Sequence, residues 1–324
     1  MKPSYINSHN KRKTGKGKVV FVIIVLLQLL GVGIYMYMKS DKPADTDSKK
    51  DVAAASSTLN NENDPPALDI PSNSTSPEKR PPVVASSPEV KALISDARSS
   101  IEAGQLLAAQ KTLNKATSIS ADPEAIALIG DVNMKLLKSA RKMDGKIYYS
   151  IQPGNSLGRI ARKYHTTVEL IKQMNGMSTS NIRAGDRVLV FTKPFSVHVS
   201  KARNELDLMC DGKIFKRYSV GTGKFGKSPV ATFEIVDKIV HPPWTRPKDN
   251  KRIEYGDPEN LLGSRWMAIK SKDHPEFRGF GIHGTQDRNS IGKQSSNGCI
   301  RMLNEEVEEL FDLLPRKTVV IISE

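Results

Sequence analysis

Gly281-Ile282-His283-Gly284-Thr285 is followed, sixteen residues beyond its histidine, by Ser296-Asn297-Gly298-Cys299-Ile300-Arg301-Met302. A free thiol ionises near pH ~8.5, so a nucleophilic cysteine needs a neighbouring imidazole or another positive field. His283 supplies that neighbour for Cys299. Glycines flank both residues, and with no Cβ in the way a substrate backbone and an oxyanion approach closely. Arg301 adds a planar fork that matches a carboxylate. These parts suit acyl transfer through a thioester. Taken without its surroundings, the same pair reads first as a buried cysteine and a surface histidine.

Working outward, Leu206, Leu208 and Cys210 alternate with Glu205, Asp207 and Met209 as far as Asp211-Gly212, and residues 214–220 alternate again. Alternating runs joined by Asp-Gly predict a hairpin. Further strands are expected over 232–239 and 266–269. Val307, Leu310, Phe311 and Leu314 predict one helix that begins after Asn304 and stops at Pro315, and residues 318–322 close the chain as a strand. The expectation is a mostly β domain with one short helix over 194–324. Cys210 falls on the apolar face of its strand, which points to packing rather than reactivity. His165, His198, His241 and His274 lack metal-ligand spacing to one another, and no metal or cofactor is expected.

From residue 195 to 323 the chain resembles the L,D-transpeptidases of the YkuD type. Besides the two strings above, Ser228-Pro229-Val230, Asn260-Leu261-Leu262-Gly263-Ser264-Arg265 and Ile291-Gly292 carry the resemblance. It implies Cys299 as nucleophile and His283 as base, with the Gly284 carbonyl orienting the imidazole. It also implies an oxyanion hole from backbone N–H groups around Gly298 and Cys299, with Asn297 and Arg301 near the substrate. Asn297 stands where many members have a second histidine, which bears on substrate positioning or oxyanion polarity, and Ala231 stands where glycine is usual. The implied reaction begins with Cys299 attacking the bond between the third residue and D-Ala of a peptidoglycan stem tetrapeptide. An amine then resolves the thioester, joining two stems or attaching a protein. Water as acceptor makes the same site an L,D-carboxypeptidase. A wall-binding scaffold with an inert catalytic domain is the reading from a different class.

The segment before it, 146–192, reads strand, helix, helix, strand: Ile147 to Ile151, then stripes at Leu157, Ile160, Ala161 and Tyr164 and at Val168, Ile171 and Met174, then Arg187 to Phe191. Tyr149 to Leu157 and Asn181 to Asp186 resemble the LysM module, a small α/β (βααβ) unit that binds glycan strands. The resemblance implies glycan contacts from the turn residues Gly154, Asn155 and Ser156 and from Asn181, with Asn155 where aspartate is usual. The module's basic surplus suits an anionic wall polymer or is simply a solvated face. Residues 88–144 show three helical stripes, broken at Gly104 and at Asp122-Pro123, with a small-residue rhythm that resembles a tetratricopeptide repeat. They are either a spacer or a surface for a protein partner.

Residues 39–87 are rich in Ser, Thr, Asn, Asp and Pro and are expected to form a disordered tether. Residues 19–38 contain one strongly polar side chain, Gln28, and at about 1.5 Å per residue span a bilayer core of roughly 30 Å. Lys2, Lys11, Arg12, Lys13, Lys16 and Lys18 in the tail 1–18 predict a cytoplasmic N-terminus, with the rest of the chain outside a bacterial membrane. The net charge of +14 is therefore not read as a nucleic-acid surface. Two cysteines exclude a disulfide scaffold and a thiolate metal cluster.

Overall fold

Polar side chains set the helix boundaries in the computed structural model, which describes residues 86–324. Helix α1 (Pro88–Glu102) starts with its proline in the first turn, and the Ser87 hydroxyl accepts from the Val90 N–H at 3.3 Å. Helix α2 spans Leu106–Ile119. Helix α3 (Pro123–Leu137) is capped by Asp122, whose Oδ1 accepts from the Glu124 and Ala125 N–H groups, each at 2.9 Å. Then come strand β1 (Lys146–Ser150), helices α4 (Leu157–Lys163) and α5 (Val168–Met174), and strand β2 (Arg187–Phe191). Strands β1 and β2 pair antiparallel, and Ser156 and Thr167 cap the two helices. The basic tail, the apolar run 19–38 and nearly all of the linker lie outside the described residues. No helix among the described residues is long and apolar enough to cross a membrane.

The C-terminal domain is mostly β. Its 8-stranded sheet contains β3 (Phe195–Ser200), β4 (Glu205–Cys210), β5 (Lys213–Ser219), β7 (Ala231–Val240), β10 (Arg265–Lys270), β11 (Gly281–Thr285), β13 (Ile300–Leu303) and β14 (Val319–Ser323). The short strands β6 (Thr222–Gly223) and β12 (Gln294–Ser296) pair with each other, as do β8 (Trp244–Thr245) and β9 (Arg252–Ile253). The strand order in the sheet is β13-β11-β10-β7-β14-β3-β4-β5. Asp211 and Gly212, at φ +50° and +71°, form the tight turn between β4 and β5, because an aspartate and a glycine tolerate the positive φ that such a hairpin demands.

Helix α6 (Asn304–Leu313) corrects one expectation. The sequence predicts a helix that begins after Asn304, but Asn304 is the first helical residue, and Leu303 occupies the cap with no side-chain bond. The Asn304 Oδ1 instead accepts from the Ser264 N–H at 3.0 Å, a contact 40 positions away in sequence.

The buried apolar side chains of all three segments form one continuous cluster from Val90 to Ile322. Helix α3 lies on the edge strand β5, where the Asn133 carboxamide donates to the Phe215 carbonyl at 2.9 Å and accepts from Gln110 Nε2 at 2.6 Å. That contact occupies an edge carbonyl otherwise open to a foreign strand. On α6, Glu309 draws in Lys138 Nζ at 2.8 Å, Lys216 Nζ at 2.6 Å and the Tyr218 hydroxyl at 2.9 Å. Further along α6, Asp312 accepts from Gln173 at 2.9 Å, and its carbonyl accepts from the Thr167 hydroxyl. Phe191 and Phe195 stack at 5.4 Å, joining β2 to β3.

Glu309→Ala is expected to leave two lysines facing each other at the α3 contact. Because these ion pairs are partly exposed, the cost is about 1–3 kcal/mol rather than the full value for a buried pair. Amide exchange over residues 123–137 should quicken while that of β7 and β14 stays slow. Uniform exchange across both regions in the variant and the unchanged chain would contradict this coupling.

Candidate active site

Strands β11 and β13 are adjacent and parallel, with His283 opposite Arg301. On its other side β11 pairs with β10, and there His283 lies opposite Trp266. Directly paired residues share a face of the sheet, so imidazole, guanidinium and indole stand in one row. The Trp266 and His283 rings are 5.9 Å apart, tilted by 32°. Cys299 immediately precedes β13 and is half-buried beside the Gly281 N–H.

His283 is 3 % exposed, and its Nδ1 lies 2.8 Å from the Gly284 carbonyl oxygen. A carbonyl only accepts, so Nδ1 carries the proton and Nε2 is left with its lone pair. Burial pushes the imidazole pKa down to about 4, and the Arg301 charge acts in the same direction against the pull of the Gly284 and Leu262 backbone groups. The imidazole is therefore neutral across the ordinary working range. Burial also raises the Cys299 thiol, opposed by the Gly281 N–H and by Arg301. Sγ lies 3.8 Å from the Gly279 carbonyl oxygen, and among the described residues no hydrogen bond joins it to His283. The resting site thus holds a neutral thiol and a neutral base, not a preformed ion pair. Such contacts commonly tighten only when substrate is bound.

The nucleophile loop is held by two serines. The Ser296 Oγ accepts from the Gly298 N–H at 3.0 Å and donates to the Cys299 carbonyl at 2.6 Å. The Ser228 Oγ donates to the Gly298 carbonyl at 2.8 Å and accepts from the Gly223 N–H at 2.9 Å. Gly298 has φ +128°, which disfavours any side chain, and an added Cβ would strike the Phe280 ring. Its N–H, expected in the oxyanion hole, is engaged by Ser296. The Cys299 N–H has no acceptor among the described residues. Asn297 is exposed at the loop tip. The Arg301 Nε is buried without a hydrogen-bond partner among the described residues, while its backbone pairs with Gly221 on the side away from β11.

The sequence assigns no role to Ser228 or Ser296, and to Asn304 only a place before a helix. An added Cβ at Gly284 or Gly263 would collide with the Asn304 Oδ1, so this amide packs the strand that carries His283 against the Gly263-Ser264 turn. The only signal for the serines was their place in the two strings that carry the family resemblance.

Cys210 is free and half-buried, and burial pushes its thiol up to about 11, with Asp211 adding to the shift. His274 pairs with Glu276 at 3.0 Å, and His241 stacks on Tyr255 at 4.1 Å. Among the described residues no group of three or more His, Cys, Asp or Glu side chains is placed to hold a metal ion.

In the preceding module, Gly154, Asn155 and Ser156 form the turn into α4, while exposed Asn181 lies on the loop before β2. The Gly185 N–H donates to the Ile151 carbonyl at 2.9 Å and brings the two loops to one end of the module. The Asn155 Oδ1 accepts from the Tyr149 hydroxyl at 2.7 Å and from the Gln152 N–H at 3.2 Å, two acceptor roles open equally to an aspartate oxygen. The Ser156 hydroxyl caps α4 at 3.2 Å from the Arg159 nitrogen.

Residues 194–322 match the family model of the L,D-transpeptidase catalytic domain (YkuD), and residues 149–191 match that of the LysM domain. The putative L,D-transpeptidase YqjB of Bacillus subtilis is 42 % identical over 129 residues, 40 % of this chain and 70 % of that protein. The putative L,D-transpeptidase YkuD of Bacillus licheniformis is 31 % identical over 185 residues, 55 % of this chain and 99 % of that protein. Among solved structures, an L,D-transpeptidase from Mycobacterium smegmatis is 17 % identical with a TM-score of 0.34, over 43 % of this chain and 64 % of that one. The chain belongs to the L,D-transpeptidase family. It is an enzyme of that class, with a LysM domain ahead of its catalytic domain.

Proposed function

We propose that this chain is a membrane-anchored L,D-transpeptidase acting on peptidoglycan stem tetrapeptides. Supporting this most directly is a neutral His283, tied at Nδ1 to Gly284, one strand away from Cys299. As Cys299 Sγ attacks the carbonyl carbon of the third stem residue, its proton passes to His283 Nε2, and the Cys299 N–H receives the developing oxyanion. The C–N bond to D-Ala then breaks, and the imidazolium returns the proton to the departing amine. An acceptor amine attacks the thioester and loses a proton to His283, and the C–S bond breaks to restore the thiol. Arg301 suits a carboxylate of the stem by charge and by its partnerless Nε. The LysM domain holds the glycan strand. Residues 19–38 anchor the chain with its N-terminus inside, placing the catalytic domain on the outer side of a bacterial cytoplasmic membrane, and the linker gives it reach.

The test is to incubate the full-length chain with disaccharide-tetrapeptides and follow products by mass spectrometry. Free D-Ala together with dimers joined through third positions is expected. D-Ala release without dimers, with amine acceptors present, would reassign the chain as an L,D-carboxypeptidase. No release at all would overturn the reading.

A further inference from the structure

Phe225 sits on a turn built directly against the nucleophile loop, yet its side chain is 93 % exposed. Its backbone is left-handed, at φ +52° and ψ +36°. Among the described residues the other non-glycine positions with positive φ are all polar (His165, Asn204, Asp211, His241, Asn250 and Lys317); Phe225 alone is apolar, with no side-chain hydrogen bond to compensate. A glycine would fold there with less strain and leave no ring in water. Strain of this kind, retained at the rim of a catalytic site, points to a role outside the fold itself.

Both stems of the turn touch the residue before the nucleophile. On one side the Gly223 N–H reaches the Gly298 carbonyl through Ser228 Oγ. On the other, an added Cβ at Gly298 would stand 3.0 Å from the Lys227 carbonyl oxygen. Phe225 is two residues from each stem, so its Cα lies within about 7 Å of Gly223. Lys224 and Lys227, both exposed, flank the ring. The turn is therefore fixed at its base, cationic at its sides and apolar at its tip.

We infer that Phe225 is a substrate-positioning residue whose ring covers the apolar C–H face of the sugar bearing the stem peptide while that peptide occupies the Cys299 site. The inference rests on the peptidoglycan reading above and narrows it to a donor held by its sugar as well as its peptide. If the third stem residue reacts, the sugar trails the reacting carbonyl by three residues, at most roughly 10 Å of extended chain. Gly223, within about 7 Å of the Phe225 Cα, itself abuts Gly298, so the tip of the turn falls on a comparable scale from the nucleophile loop. The two lysines suit the carboxylates along such a stem.

The test compares the full-length chain with its Phe225→Gly and Phe225→Tyr variants on two donors, the free tetrapeptide and the disaccharide-tetrapeptide, by steady-state D-Ala release. For Phe225→Gly, KM on the sugar-bearing donor should rise about 3- to 10-fold, the scale of one aromatic contact. kcat and the KM for the free tetrapeptide should hold, and the melting temperature should not fall, since glycine accepts the backbone conformation. Phe225→Tyr should keep the original KM on both donors. An unchanged KM on the sugar-bearing donor in Phe225→Gly overturns the inference, as does an equal rise on both donors, which would put the ring on the peptide. No turnover of either donor by the unchanged chain overturns the peptidoglycan reading itself and this inference with it.

Discussion

Cys299→Ala should abolish both D-Ala release and transfer to an amine. The loss expected on removing a covalent nucleophile is on the order of 10⁶-fold in turnover, which is background here. No other side chain in the row formed by Trp266, His283 and Arg301 can make the thioester. The second cysteine serves as the control. Cys210 sits at the end of β4 with its thiol pushed up to about 11, so Cys210→Ala should leave both activities in place. Turnover by Cys299→Ala at even a hundredth of the original rate, in protein that melts normally, would sink the covalent route.

His283 carries the second large effect, and its pH dependence has a definite sign. Burial holds the imidazole pKa near 4 in the folded chain against an ordinary value of 6.5. The base is then neutral and competent at every pH above about 4, so the acid limb of kcat/KM should fall near that value rather than near 6.5. The Cys299 thiol, raised by burial, stays protonated through neutrality, so no thiolate plateau should appear in this range. The same depressed value acts on stability. Below pH 6.5 the unfolded chain takes up a proton that the folded chain refuses, and stability declines by up to about 1.4 kcal/mol per pH unit until the folded group titrates. His283→Gln should remove that slope and lower turnover by roughly 10²- to 10⁴-fold. An acid limb near 6.5 in the unchanged chain would show that the imidazole is wetter than this fold makes it.

Much of this architecture was legible because it is encoded locally. Asp211-Gly212 announces its turn by residue type, Asp122-Pro123 announces the start of α3, and the alternation on both sides of the hairpin places β4 and β5. His283 and Cys299 stood out through the glycines around them and through the family string they complete. The rest depends on partners remote in sequence. Asn304 has the chemistry of a helix cap, yet its oxygen serves Ser264, and no local pattern distinguishes the two uses. Strand β11, Gly281–Thr285, has neither alternation nor a strand-like composition; it is a strand because β10 and β13 lie on either side of it. The Gly298 N–H, which the resemblance puts near the oxyanion hole, donates to Ser296 two residues earlier, a fold-back that no residue type announces. Likewise the packing of α3 on β5 turns on a carboxamide that meets a carbonyl 82 positions away.

The most direct measurement is the intact mass of the full-length chain after brief exposure to tetrapeptide without an amine acceptor. If Cys299 is the acylated group, the mass rises by that of the tetrapeptide less D-Ala, hydroxylamine removes the increment, and peptide mapping places it on the fragment containing Cys299. An adduct on any other residue, or the same increment on Cys299→Ala, would contradict the acyl-enzyme on which the proposed function stands.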